Sequence, residues 1–193
     1  FADRKYLYYE VMNEILYPYL IKHGRIPTIS CVPFLVNWAR DFYQEHVCPN
    51  IPVTVLVRNN PFFHQQRNLK TECWLEFLEY CAGRYPVKFV LIGTASEIDA
   101  RYRGLKNVLV AKDFNTGVDQ DLALIQMSAI HMGSASGPGC MALFSSKPLL
   151  SVRHSIVPEA HKGMIRDGSF LRFPFSTPYQ RAHSGEETVE LLI

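Results

Sequence analysis

A strand–loop–helix unit is the most informative part of this sequence. It reads Ile130-His131-Met132-Gly133-Ser134-Ala135-Ser136-Gly137-Pro138-Gly139-Cys140-Met141-Ala142-Leu143. A short apolar strand leads through small residues into a helix, so we expect several backbone N–H groups to point into the loop. A loop of this kind favours an anion as its ligand.

The composition of this loop has a physical reason. Its three glycines have no Cβ, so each can take a positive φ and let a ligand approach the backbone. Ser134 and Ser136 have hydroxyls that can cap a helix or donate to a phosphate oxygen, and Pro138 fits the first helical position after a cap at Ser136 or Gly137. An ordinary capped turn would use the same residues, so the surrounding sequence has to decide between the two interpretations.

The bulk composition describes a globular protein with a sizeable core. The 193 residues fit one large domain or two small ones, and 48% of them are hydrophobic while 20% are charged. The net charge of +2 comes from 20 basic and 18 acidic residues. This balance argues against nucleic acid or an anionic membrane surface as the main partner.

The cysteines and the ends of the chain bear on its surroundings. Five cysteines without a CxxC pair favour reduced thiols in a cytoplasmic protein over a disulfide framework. No apolar run approaches the roughly 20 residues that span a bilayer, and the first residues do not resemble a signal peptide. The chain has no initiating Met and ends inside a predicted helix, so we expect it to be a fragment.

Residues 1–50 are predicted to be helical. Apolar side chains recur at intervals of three and four residues from Tyr6 to Leu20, and Gly24 then marks a stop. A second helix is predicted from about Val32 to Val47. We expect this segment to be the remnant of an N-terminal domain or a surface that packs on one.

Strands and helices alternate after residue 50. Strands are predicted at 53–58, 88–92, 107–111, 130–132 and 148–152, with helices at 69–81, 96–102, 119–128 and 137–145. Continuous apolar strands separated by helices indicate a parallel sheet covered on both faces. The predicted fold is therefore α/β: a Rossmann-like, doubly wound parallel sheet over residues 51–193, preceded by the helical segment.

One edge of such a sheet is expected to bind the ligand. Ligands lie outside the carboxyl ends of the strands, in the crevice where the strand order reverses. The residues that follow the predicted strands are Arg58-Asn59-Asn60, Gly93-Thr94, Lys112-Asp113-Phe114, Gly133-Ser134-Ala135-Ser136-Gly137 and Arg153-His154. Fixed positive charge beside glycine-containing loops suits a pyrophosphate ester.

Five sequence blocks follow one another between Val53 and Val152. They are a strand ending in Val57-Arg58, the pair Arg67-Asn68, the strand Phe89-Val90-Leu91-Ile92-Gly93, the helix Asp121-Leu122-Ala123-Leu124-Ile125, and the Ser-Gly loop that leads to Lys147-Pro148-Leu149. In this order they resemble the C-terminal, nucleotide-sugar-binding half of GT-B-fold glycosyltransferases of the bacterial polysaccharide type. A complete enzyme of that kind needs a second domain of similar size, so the chain resembles one half of an active cleft.

The resemblance implies a glycosyltransferase that moves a sugar from a nucleotide-diphosphate sugar to a glycan or polysaccharide acceptor. The sequence has no HExxH or His-x-His motif, so we expect a metal-independent reaction with no cofactor beside the donor. A second domain or a second copy of the chain is an expected partner. Two other functions fit the same fold: a non-catalytic nucleotide-binding or assembly module, and a nucleotide-sugar epimerase.

Seven residues are candidates for binding the nucleotide or its diphosphate: Arg58, Thr94, Lys112, Ser134, Ser136, Gly137 and Glu159. Arg58 ends an apolar strand, where a guanidinium is costly unless it meets an anion, either a diphosphate or the carboxylate of Asp113 or Glu97. Lys112 follows the same argument, with a solvated loop lysine as the alternative. For Thr94 the alternative is a hydroxyl that caps a turn.

The last of these candidates and the histidines complete the predicted site. Glu159 is placed there by the resemblance, which implies a carboxylate that accepts hydrogen bonds from ribose hydroxyls. A solvated acid is the alternative. His64 and His154 lie in predicted loops, where a histidine could act as a general base or lie at the surface. His131, inside a predicted strand, is expected in the core.

Overall fold

The computed structural model describes residues 11–154 and 164–193, and its N-terminal part is helical. A π-helical segment, Val11–Leu16, runs into helix α1 (Tyr17–His23), and helix α2 spans Pro33–His46. Gly24 ends α1 with a left-handed backbone, and its N–H donates to the carbonyl of Leu20. Both N-terminal helices are thus confirmed over the described residues. Tyr6 lies outside them.

After residue 50, the described residues contain one eight-stranded sheet. Its strands are β1 (Ile51–Leu56), β2 (Val87–Ile92), β3 (Val108–Val110), β4 (Ile130–Ser134), β5 (Leu149–Val152), β6 (Ile165–Asp167), β7 (Phe170–Arg172) and β8 (Gln180–Ala182). They lie in the order β3-β2-β1-β4-β5-β8-β7-β6. Neighbours from β3 to β8 pair in parallel, whereas β8 with β7 and β7 with β6 pair antiparallel. The predicted parallel sheet is confirmed.

Strands β6 to β8 are not predicted by the sequence pattern. Each has only 3 residues. All of β6 is exposed, and β7 is only partly buried. Strands this short, with little apolar alternation, give no periodic signal.

The helices after the strands are α3 (Thr71–Cys81), α4 (Val118–Met127), α5 (Gly139–Phe144) and α6 (Val189–Leu192). The single helix predicted over residues 96–102 is wrong. Two 3-10 turns, Ala95–Glu97 and Ala100–Gly104, stand there instead. The second turn starts afresh because Asp99 is extended and its carboxylate accepts from the N–H of Arg101.

Helices cover both faces of the parallel strands. On one face Val55 and Leu91 pack against the α3 side chains Trp74 and Leu78. On the other face, a second cluster joins Val90 and Ile92 of β2 to apolar residues of α2, α4 and α5. The alternation of buried side chains along β2 therefore supports the doubly wound arrangement. The domain boundary near residue 50 stays a prediction, although α2 packs into the same core as the sheet.

The loop after β4 departs from the expected capping. Helix α5 starts at Gly139, and Pro138 takes the cap position without a side-chain hydrogen bond. The expected cap at Ser136 or Gly137 is therefore wrong. Of the three loop glycines only Gly133 has a positive φ, at 138°. Only glycine fits at position 133, because other residues rarely adopt this φ and a Cβ would lie 2.5 Å from the carbonyl oxygen of Leu56.

No helix among the described residues is long and apolar enough to cross a membrane.

Candidate functional site

A cleft of about 590 Å³ opens at the carboxyl edge of the sheet. The strand order reverses between β1 and β4, because the chain fills β1, β2 and β3 on one side before it crosses to β4. The ends of β1, β2 and the segments after β3 and β4 line the cleft. It therefore lies at the switch point where parallel α/β sheets bind their ligands.

Arg58 projects into this cleft from the end of β1. Its Nη2 donates to the carbonyl oxygen of Phe63 at 2.5 Å, and its Nε is buried without a hydrogen-bond partner among the described residues. The alternative ion pairs do not form within that part of the chain. Asp113 is instead held by Arg103 at 2.7 Å, and Glu97 accepts from the backbone N–H of Asn59 and the amide of Asn60.

Arg67 is a second guanidinium in the same cleft. Its Nε is likewise buried, with no hydrogen-bond partner in residues 11–154 and 164–193. A buried donor without an acceptor is costly, so an acceptor oxygen placed beside either Nε would be stabilising. The sequence analysis used Arg67 only as part of a family-like block. One signal could have identified Arg67 as a candidate: it lies nine residues after Arg58, just before a predicted amphipathic helix.

Lys112 lines the cleft but is held by the protein. Its ammonium donates to the carbonyl oxygen of Thr116 at 2.7 Å, to the Thr116 hydroxyl at 3.2 Å and to Asp121 at 2.8 Å. The interpretation as a solvated loop lysine is wrong, because only 16% of the side chain is exposed. Direct binding of a diphosphate by Lys112 stays a prediction, and its three donors already have acceptors.

The loop after β4 separates the cleft from a smaller cavity of about 50 Å³. Ser136 lines both spaces, and its hydroxyl is buried without a partner in the described part of the chain. Gly137 is exposed and borders the cleft alone. Ser134 is buried and lines only the smaller cavity. The loop thus brings Ser136 and Gly137, but not Ser134, to the cleft with the arginines.

The remaining candidates fall in different places. Thr94 is exposed at the rim of the cleft, and its hydroxyl makes no capping bond to the turn that follows, so the capping interpretation is wrong. His64, left-handed at φ 50°, also borders the cleft. His154 lines the smaller cavity, where its Nδ1 lies 3.3 Å from the Ser151 hydroxyl. Glu159 lies outside the described residues.

His131 is a core residue, as predicted. It is 1% exposed, and its Nδ1 lies 3.0 Å from the Thr54 hydroxyl. Burial lowers the pKa of its imidazole to about 4, so it is neutral at physiological pH. No group of three or more potential metal ligands occurs within residues 11–154 and 164–193.

No family model and no curated protein matches the sequence. Solved structures do match its fold. A family 9 glycosyl transferase from Veillonella parvula is 14% identical in sequence, with a TM-score of 0.57. The match covers 84% of this chain and 43% of the Veillonella chain. The E. coli ADP-heptose lipopolysaccharide heptosyltransferase II is 14% identical with a TM-score of 0.56, covering 86% of this chain and 51% of its own.

A third similar structure is an E. coli heptosyltransferase with ADP-2-deoxy-2-fluoro heptose, 12% identical with a TM-score of 0.52. The match covers 80% of this chain and 45% of the heptosyltransferase chain. The chain thus spans about half the length of these proteins. At this level of identity the likeness concerns the fold. The resemblance drawn from the five sequence blocks is confirmed at that level: the chain has the fold of one half of a GT-B glycosyltransferase.

Proposed function

We propose that this chain is the donor-binding part of a glycosyltransferase that uses a nucleotide-diphosphate sugar. The carrying observation is the pair Arg58 and Arg67, two half-buried arginines that share the switch-point cleft. Each has a buried Nε without a hydrogen-bond partner, and neither has a carboxylate partner among the described residues. A diphosphate supplies the charge and the acceptor oxygens that both groups lack. The backbone and hydroxyl of Ser136, with the bare backbone of Gly137, line the same cleft and would complete the anion site.

The same residues account for the chemistry of transfer. When the bond between the sugar and the diphosphate breaks, negative charge develops on the leaving phosphate. Fixed donors at Arg58, Arg67 and Ser136 would stabilise that charge more in the transition state than in the ground state. We therefore propose a metal-independent reaction. The base that deprotonates the acceptor would come from the other half of the active cleft.

The proposal extends to the donor, the acceptor, the partner domain and the location of the protein. Two of the similar structures are heptosyltransferases whose names include an ADP-sugar, so an ADP-sugar is the first donor to test. We propose a glycan or polysaccharide acceptor, with a second domain or subunit that carries the acceptor site. The five free thiols are in keeping with a cytoplasmic location.

Turnover by the full-length protein tests this proposal. We expect incubation with ADP-, UDP- and GDP-sugars and a bacterial glycan acceptor to release a nucleoside diphosphate and to place the sugar on the acceptor. An isomeric nucleotide sugar would contradict the proposal in favour of an epimerase. Binding without release of nucleotide would contradict it in favour of a non-catalytic module.

Gly137→Val is expected to weaken nucleoside diphosphate binding by more than tenfold, about 1.4 kcal/mol. A Cβ on Gly137 meets no atom of the described residues within 4 Å, so the fold tolerates the change. The added methyl groups would instead occupy the space that a phosphate needs beside the backbone. Titration calorimetry measures the affinity and calorimetric unfolding checks the fold.

Gly104→Val serves as the control for this substitution. Gly104 also has space for a Cβ and is exposed, but it does not line the cleft. We expect its affinity to equal that of the unmodified protein. Equal affinities for both valine variants would show that the phosphate does not approach Gly137.

A further inference from the structure

The carboxylate of Asp121 connects three segments that the fold brings together. Asp121 belongs to the first turn of α4 and is 4% exposed. Its Oδ2 accepts from the ammonium of Lys112 at 2.8 Å and from the backbone N–H of Gly93 at 3.3 Å. Its Oδ1 accepts from the hydroxyl of Thr116 at 2.9 Å. The donors thus come from the end of β2 and from the segment after β3.

All three donors line the cleft, and so does Asp121 itself. Gly93 turns the chain at φ 120°, and a Cβ there would lie 3.1 Å from Leu56 and 3.3 Å from the carbonyl oxygen of Val57. In the segment after β3, the ammonium of Lys112 donates to the carbonyl oxygen of Thr116. One wall of the cleft is therefore held in place by two side chains, Asp121 and Lys112, of which only Asp121 joins it to Gly93.

Helix stabilisation alone does not explain these contacts. An acidic side chain in the first turn of a helix interacts favourably with the helix dipole whichever way the side chain is directed. Asp119 lies in the same turn and is exposed. Asp121 is instead buried, and its hydrogen bonds go to segments outside α4. Among the described residues that line the cleft from the segments after β2 and β3, Lys112 is the only cation. Its ion pair with Asp121 neutralises that charge.

We infer that Asp121 is the positioning residue of the nucleotide site, and that Lys112 acts there as part of the wall. This inference rests on the proposed function, because it assigns Asp121 to the affinity for the donor. Asp121 acts through its partners: it fixes Gly93 and Thr116 at the distance at which the nucleotide meets both. The wall keeps this shape before any ligand arrives, which lowers the entropic cost of binding.

Alanine and asparagine at position 121 separate geometry from charge. Asp121→Ala removes all three acceptor contacts, and we expect the affinity for nucleoside diphosphate to fall at least tenfold. In Asp121→Asn the new side chain can turn its carbonyl oxygen toward Gly93 and Lys112 and its amide toward the Thr116 hydroxyl. We therefore expect Asp121→Asn to recover the affinity to within about threefold of the unmodified protein. Asp119→Ala removes a charge from the same helical turn and is the matched control, with unchanged affinity.

The probes are ADP, UDP and GDP titrated into the full-length protein, with unfolding temperatures recorded for every variant. Equal losses for Ala and Asn at position 121 would overturn the inference in favour of a purely electrostatic role. Unchanged affinity in a folded Asp121→Ala variant would overturn it in favour of a purely structural one. Thr116→Val removes one donor and keeps the Lys112–Asp121 pair. It should bind about threefold more weakly, so unchanged affinity there contradicts the inference even if Asp121→Ala does not fold.

Failure of the proposed function has a different signature. If the unmodified protein binds none of the three nucleotides, the donor site itself is refuted. If the unmodified protein binds and the variants at position 121 do not follow the expected order, only the positioning role fails.

Discussion

Gly133→Ala should destabilise the protein by about 3 kcal/mol or more, although it adds a single methyl group. Gly133 has φ 138°, a conformation whose strain for other residues is on the order of 1–3 kcal/mol. An added Cβ would also lie 2.5 Å from the carbonyl oxygen and 3.0 Å from the backbone nitrogen of Leu56. Both atoms belong to the strand that pairs with β4 at this position, so relief requires the sheet to open.

The measurement is thermal unfolding, with Gly137→Ala as its control. For a chain of this size 3 kcal/mol corresponds to a fall in Tm of at least about 6 °C. Gly137 lies in the loop that follows β4, with no atom of the described residues within 4 Å of a Cβ, so alanine there should leave the Tm unchanged. Equal Tm values for the two variants would mean that β1 and β4 do not approach as closely as described.

Replacing both Arg58 and Arg67 with alanine should weaken nucleoside diphosphate binding by at least a hundredfold. Each charge-assisted hydrogen bond contributes about 1.5–3 kcal/mol, and a hundredfold change corresponds to about 2.7 kcal/mol. The single variants should each lose about tenfold or more. Calorimetric titration of the two single variants and the double variant measures these losses.

The stability of the same variants separates binding from structure. Neither guanidinium makes an ion pair with the described part of the chain, so removing both charges should leave the Tm unchanged or raise it slightly. Arg103→Ala is the control: it breaks the pair with Asp113 outside the cleft and should not affect affinity. A double variant that binds as tightly as the unmodified protein would place the phosphate elsewhere.

The parallel part of the fold is predictable because its signals are local. Apolar runs such as Val53–Val57 and the amphipathic residues 71–81 carry their own periodicity, and the structure places β1 and α3 there. Strands β6 to β8 exist only through pairing with β5 and with one another. Three-residue strands give the sequence no period to detect.

The site was predictable in position but only partly in composition. The rule that ligands bind after parallel strands pointed to Arg58, Thr94, Ser136 and Gly137, and the structure brings these four residues to one cleft. The rule does not show which of the positively charged side chains have N–H groups without an acceptor in the protein. Lys112 and Arg58 occupy equivalent positions after their strands, yet Lys112 is held by Asp121 while Arg58 meets no carboxylate among the described residues. That difference depends on contacts between segments distant in sequence, as does the approach of Arg67 to the cleft.

The central claim is that this cleft binds a nucleoside diphosphate, and calorimetric titration of the unmodified protein tests it most directly. ADP, UDP, GDP and CMP are each titrated to millimolar concentration. The account predicts heat from at least one diphosphate, with one site per chain and an affinity that falls in the Arg58→Ala variant. Absence of heat from every nucleotide at millimolar concentration would contradict it.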